Sequence, residues 1–271
     1  MQGWETIIPT TDKLEYITML LTAGFHAVDV GSLVSPRAVP QMADTLEVIE
    51  HLSISHPETR LMVVVGNQRG GLQACTLEKI NLIGFPYSTS PAFLKRNINA
   101  SQEQAWNELQ VIHEVAKDNG KKVRVYVSMA FGNPYGDPWS EGQVVAEVER
   151  LATAGFQDIV FSDITGVATK ESIFSLCTKL NENFRQLTLG VHLHVGKLDW
   201  ETKVEAAWQA GFRWFEGAIG GHGGCPMTGY ELLANLDTLN LIDWCNRKGI
   251  VHGVDHRILE TSKALCDKIF R

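Results

Sequence analysis

The chain carries no surplus of basic charge. Its 24 Lys and Arg stand against 31 Asp and Glu over 271 residues, a formal net charge of −7, so the electrostatic footprint of a nucleic-acid binder is missing. No apolar run approaches the roughly 20 residues that cross a bilayer; the longest candidates are 61–65 and the mixed stretch 17–23. There is no basic segment followed by an apolar one, so a secretory leader has no support. Five cysteines, odd in number and without close pairing, offer no disulfide framework and fit reduced thiols in a cytoplasm; a mitochondrial address is also compatible with them. What is left, at 44% hydrophobic and 20% charged residues, is an ordinary folded chain long enough for one α/β barrel.

A further absence concerns the pattern of elements. Seven apolar runs read as strands, at 27–32, 61–66, 80–85, 123–128, 158–162, 187–194 and 213–219. Eight amphipathic windows read as helices, at 11–22, 40–52, 69–76, 102–118, 142–153, 170–182, 200–209 and 231–247. The first helix has no strand before it. In a parallel barrel helices follow strands one for one, so the count predicts a TIM (β/α)8 barrel, one domain over 1–271, lacking its first strand in this chain. An open doubly wound sheet is the alternative, but it gives no reason for polar residues at successive strand ends. Ala-Gly-Phe recurs at 23–25, 154–156 and 210–212, placing glycine where a helix ends in the left-handed conformation. Residues 255–271 read as a C-terminal accessory helix.

Val191-His192-Leu193-His194 is the sharpest local signal. A strand has a side-chain period of two, so both imidazoles share one face. At a barrel mouth such a pair suits a divalent metal with an open position; a hydrogen-bonded pair without metal, or plain packing, are the other readings. Asn235 is placed to return an amide oxygen to that metal. Gly220-Gly221-His222-Gly223-Gly224-Cys225-Pro226 follows the last strand and lacks the Gly-Lys-Ser/Thr ending of a phosphate loop. Its glycines present Cys225 on an exposed loop, as an acid, a nucleophile or a structural thiol. Asp163 and Asp29 end strands with carboxylates, Asn133 follows one, and Arg124 lies within one, where an inward guanidinium needs an anion.

Together, residues 31–42 (GSLVSPRAVPQM), Ser162-Asp163-Ile164-Thr165-Gly166-Val167, the His-x-His and Gly223-Gly224-Cys225-Pro226 resemble the 3-hydroxy-3-methylglutaryl-CoA lyase family, over nearly the whole chain. The resemblance implies a barrel that binds Mg2+ or Mn2+, with Zn2+ as a further option, and an acyl-CoA substrate split into acetoacetate and acetyl-CoA. It implies His192, His194 and Asn235 as metal ligands, Cys225 as proton donor with His192 assisting, and Asp163 as an orienter of the reacting hydroxyl. Asp29, Arg124 and Asn133 would face the substrate. Asn133 stands where many relatives have cysteine, Val195 replaces an aspartate, and Asp29 replaces a frequent glutamate. The family opens on a strand ending in Arg-Asp; Met1-Gln2 looks like the residues just after it, so an upstream segment is expected, and the chain as written is expected to have little lyase activity alone. A homodimer fits the resemblance. A related Claisen-type synthase and a nonenzymatic metal- or acyl-CoA-binding protein are the two alternatives.

Overall fold

The computed structural model describes residues 1–54, 56, 58–224 and 233–271. Its elements alternate as the hydrophobic pattern predicts. Strands β1 (Ala27–Ser32), β2 (Arg60–Val64), β3 (Leu82–Ser88), β4 (Lys122–Ser128), β5 (Asp158–Asp163), β6 (Thr188–Val195) and β7 (Trp214–Glu216) form one sheet in chain order. Every neighbouring pair is parallel. The connecting helices are α1 (Thr10–Leu21), α2 (Thr45–His51), α3 (Gln68–Thr76), α4 (Pro91–Asn97), α5 (Gln102–Asp118), α6 (Glu141–Thr153), α7 (Lys170–Asn183) and α8 (Trp200–Gln209). A two-residue strand β8 (Ala234–Asn235) then pairs antiparallel with the end of β6, and α9 (Thr238–Arg247) and α10 (His256–Ile269) complete the chain.

This is the order of a TIM barrel, with seven parallel strands among the described residues and no pairing between β7 and β1. The ring of His26, just before β1, lies 4.4 Å from that of Trp214 in β7. The strands alternate cleanly: Val123, Val125 and Val127 are buried against the helices, whereas Arg124, Tyr126 and Ser128 line an internal cavity of about 890 Å3. The main apolar core therefore sits between sheet and helices, where Leu109, Ile112, Val148, Leu176 and Val204 close over the strands, and the sheet's inner face is left to polar chemistry.

The differences from the expected boundaries have local causes. The helix expected over 40–52 splits into a 3-10 turn at Pro40–Met42 and α2, because Asp44 between them turns its carboxylate to Thr10 Oγ1 (2.8 Å) and Lys13 Nζ (2.6 Å). Strand β3 runs on through Pro86. Gly84 turns its carbonyl to Val65, so the N–H that Pro86 lacks would point the same way, past the end of β2, where no ladder needs it. Helix α4 escapes the periodicity because it is only 7 residues long; its start is marked by the Ser90 cap on Phe93 and by Pro91. All three Ala-Gly-Phe glycines are left-handed, at φ +85, +93 and +96, and Phe156 and Phe212 close their helices with backbone bonds to Leu151 and Ala207. Among the described residues no helix is long and apolar enough to cross a membrane.

Candidate functional site

The site grows from the register of four neighbouring strands. Ser162 of β5 pairs with His192 of β6, His192 pairs with Glu216 of β7, and Arg124 of β4 pairs with Asp158 of β5. Registered neighbours in a sheet present their side chains to the same face, so these residues share the cavity wall.

His192 and His194 turn inward while Val191, Leu193 and Val195 are buried. The two Nε2 atoms lie 3.3 Å apart. Beyond them β8 brings Asn235 opposite His194; its Nδ2 donates to the His222 carbonyl at 3.0 Å. The Asn235 Oδ1 and the His194 Nδ1 are buried with no hydrogen-bond partner among the described residues. Burial pushes His194 down to about 3, with the His192 ring adding to it, so this imidazole is neutral at physiological pH. Close packing holds the amide: a Cβ on Gly223, whose φ is +119, would stand 2.5 Å from Asn235 Nδ2.

These atoms fit a divalent cation. Two imidazoles and an amide oxygen are acceptable donors for one, and a buried amide oxygen is costly unless something takes its lone pairs. Among the described residues there is no group of three His, Cys, Asp or Glu side chains poised for a metal; the set brought together here is two imidazoles and an amide.

Behind the pair lies a charged network. His192 Nδ1 is 3.1 Å from Glu216 Oε2. Glu216 Oε1 accepts from Arg124 Nη1 at 2.8 Å and from the Tyr126 hydroxyl at 3.0 Å. Arg124 reaches Asp158 as well, through Nε at 2.8 Å and Nη2 at 3.1 Å. Burial alone would raise Glu216, but the hydrogen bond and charge of His192, with Arg124 and Tyr126, bring it below the usual carboxylate range. Asp29 lines the same cavity. A bulge between Asp29 and Gly31 re-aims it, the Gly31 N–H donates to it at 3.2 Å, and its side chain is exposed to the open cavity.

The structure thus brings His192, His194, Asn235 and Asp29 to one cavity, with Arg124 behind them. Asp163 is elsewhere: it points away from the cavity, accepts from the Val167 and Ala168 N–H groups at 3.0 Å each and lies 3.8 Å from Lys203 Nζ. Asn133 shapes its own turn, its Oδ1 accepting from Tyr135 N and Asp137 N and its Nδ2 donating to the Asp137 carbonyl. Cys225 lies outside the described residues. Glu216, Tyr126 and Asp158 were missed by sequence reasoning. The one available signal was a glutamate closing the run Trp214-Phe215-Glu216, together with the anion that an inward Arg124 demanded.

The HMGL-like family model matches residues 2–264. The cytoplasmic 3-hydroxy-3-methylglutaryl-CoA lyase of Rattus norvegicus is 31% identical over 270 residues, 99% of this chain and 78% of its own length. The mitochondrial hydroxymethylglutaryl-CoA lyase of Bos taurus is 29% identical over 272 residues, 100% of this chain and 83% of its own. Among solved structures, an HMG-CoA lyase from Acenitobacter baumannii in complex with coenzyme A and 3-methylmalate matches with a TM-score of 0.92 at 27% identity, covering 99% of this chain and 87% of that one.

Proposed function

This chain belongs to the HMGL-like family and is a carbon–carbon lyase, and from that membership we propose that it cleaves 3-hydroxy-3-methylglutaryl-CoA to acetoacetate and acetyl-CoA, with close 3-hydroxyacyl-CoA thioesters as the wider substrate class. The observation that carries the reading is the convergence of the His192 and His194 Nε2 atoms, 3.3 Å apart, beside the Asn235 Oδ1, which has no partner among the described residues, on the wall of the cavity. His192, His194 and Asn235 would hold Mg2+ or Mn2+, which when bound makes a substrate hydroxyl more acidic and balances carboxylate charge.

The cleavage is a retro-Claisen step. The C3 hydroxyl gives up its proton to water, which later restores the proton donor, the C2–C3 bond breaks, C3 becomes the ketone of acetoacetate, and the electron pair passes to C2 as a thioester enolate. The enolate then takes a proton at C2 and leaves as acetyl-CoA. We assign that proton to Cys225, at the end of the glycine loop, where a thiol is a better carbon acid catalyst than a hydroxyl. Asp29 faces the acyl group in the same cavity. Arg124 does not reach out to substrate in this reading; its guanidinium is held by Asp158 and Glu216. Asp163 and Asn133 hold the loops after β5 and β4 in shape around the mouth. Residues 1–271 act as one barrel domain, with α10 as an accessory helix packed on α1 and the 219–221 turn. Buried free thiols at Cys75, Cys177 and Cys266 favour a reducing compartment, the cytoplasm first.

The test is acetoacetate release from 3-hydroxy-3-methylglutaryl-CoA by the purified full-length protein with Mg2+ or Mn2+, beside incubation of acetyl-CoA with a series of 2-oxo acids. Acetoacetate appearing in step with acetyl-CoA supports the lyase. Condensation without cleavage would replace it with a Claisen-type synthase.

A further inference from the structure

We propose that Glu216 is a positioning residue for the paired imidazoles: it holds His192 with its proton on Nδ1, so that Nε2 turns a bare lone pair toward the space shared with His194 and Asn235. The proposal deepens the reading above and rests on its assignment of those residues to a divalent cation.

The two oxygens of Glu216 are both committed. Oε1 accepts from Arg124 Nη1 at 2.8 Å and from the Tyr126 hydroxyl at 3.0 Å, which fixes the plane of the carboxylate and leaves Oε2 for His192 Nδ1 at 3.1 Å. An ionised carboxylate beside a buried guanidinium only accepts, so Nδ1 must be the donor. In a neutral imidazole the other nitrogen is then unprotonated. That nitrogen is the one 3.3 Å from His194 Nε2.

The arrangement is also unequal between the two rings. His194 Nδ1 has no partner among the described residues, so no carboxylate sets its tautomer; burial and the pairing of β6 with β8 hold it. Only His192 is oriented by charge. Arg124, in turn, is held by Asp158 at 2.8 and 3.1 Å, so the chain Asp158, Arg124, Glu216, His192 crosses β5, β4, β7 and β6 and ends at the proposed metal position. Partners of this kind behind a ligating imidazole change metal affinity although they never touch the metal.

The experiment uses Mn2+ alone, with no acyl-CoA. Mn2+ uptake is measured by calorimetry and by electron paramagnetic resonance for the wild type and for Glu216→Gln, an isosteric change that removes the charge fixing the proton. Nitrogen-15 histidine spectra of the metal-free proteins read the tautomer. The expected results are a roughly 10- to 100-fold weaker Mn2+ affinity in Glu216→Gln, with a cooperative melt retained, and a wild-type His192 that carries its proton on Nδ1 and gives it up to a mixture of tautomers in the variant. Mn2+ affinity equal in the two proteins would overturn the proposal. So would a wild-type spectrum with the His192 proton on Nε2, a measurement that stands even if Glu216→Gln does not fold. Intact Mn2+ uptake without acetoacetate release would count against the proposed reaction and leave the role of Glu216 standing.

Discussion

Replacing Arg124 with methionine removes the cation on which the inner face of the sheet depends. The guanidinium makes bonds of 2.8 and 3.1 Å to Asp158 and one of 2.8 Å to Glu216. The side chains of Arg124 and Asp158 are 7% and 9% exposed, that of Glu216 22%. Methionine fills most of the volume but deprives both carboxylates of their guanidinium partner. Breaking a buried pair by removing one partner costs about 3–5 kcal/mol, and the cavity-facing Glu216 is solvated enough to place the cost toward the lower end. For a chain of this size each kcal/mol moves the melting temperature by roughly 2–4 °C, so Arg124→Met is expected to melt about 10 °C below wild type at pH 7.5.

The pH dependence gives a second, independent check. In the wild type Glu216 lies below the ordinary carboxylate value, so its contribution is present above that value and is lost as pH falls through the folded pKa. Without Arg124 the Glu216 carboxylate loses a cation that holds it down, so the penalty is full at neutral pH and fades as the carboxylate takes up a proton. The gap between the two proteins must therefore narrow from pH 7.5 to pH 5. Calorimetric melts at the two pH values measure it, and Arg124→Lys should fall between, since an ammonium cannot span both carboxylates as a planar fork does. A difference below about 3 °C at pH 7.5, on the same scale, or a gap that widens on acidification, would refute the account of the network.

Cys225→Ser should keep Mn2+ uptake and lose on the order of 100-fold in turnover, the range of a positioned general acid; the fully buried Cys177 supplies the Cys177→Ser control, and wild-type turnover in Cys225→Ser would remove the thiol from the mechanism. Gly223→Ala forces a Cβ to 2.5 Å from Asn235 Nδ2 at φ +119, so it should displace the amide and weaken Mn2+ uptake on the order of 10-fold through strain alone. Gly120→Ala, at φ +67 with nothing within 4 Å of the new Cβ, should leave uptake unchanged, and equal uptake in both variants would show that Asn235 is not a ligand.

The alternation of strands and helices was legible because burial writes it directly into the chain. Runs such as Val123-Arg124-Val125-Tyr126-Val127 place apolar residues on one face, and the structure buries those valines against the helices. The ends of elements were less so, since they depend on partners distant in sequence. Asp44 interrupts a helix for the sake of Lys13 and Thr10 on another, and Pro86 is tolerated in β3 only because β2 has already ended at Val64.

The same division runs through the site. His192 and His194 could be read from a period of two within six residues, and so could the requirement that an inward Arg124 find an anion. Which anion was not readable, because Asp158 and Glu216 lie 34 and 92 residues away and reach Arg124 only when three strands settle into one register. Asp163 shows the converse. A carboxylate at a strand end looks like chemistry, yet it is next to the inward Ser162 in sequence and therefore on the other face, where the N–H groups of Val167 and Ala168 and the ammonium of Lys203 use it up. Periodicity tells on which face a side chain stands. Its partner is decided by how far each crossover helix lets the next strand slide, and that is where Glu216 meets His192.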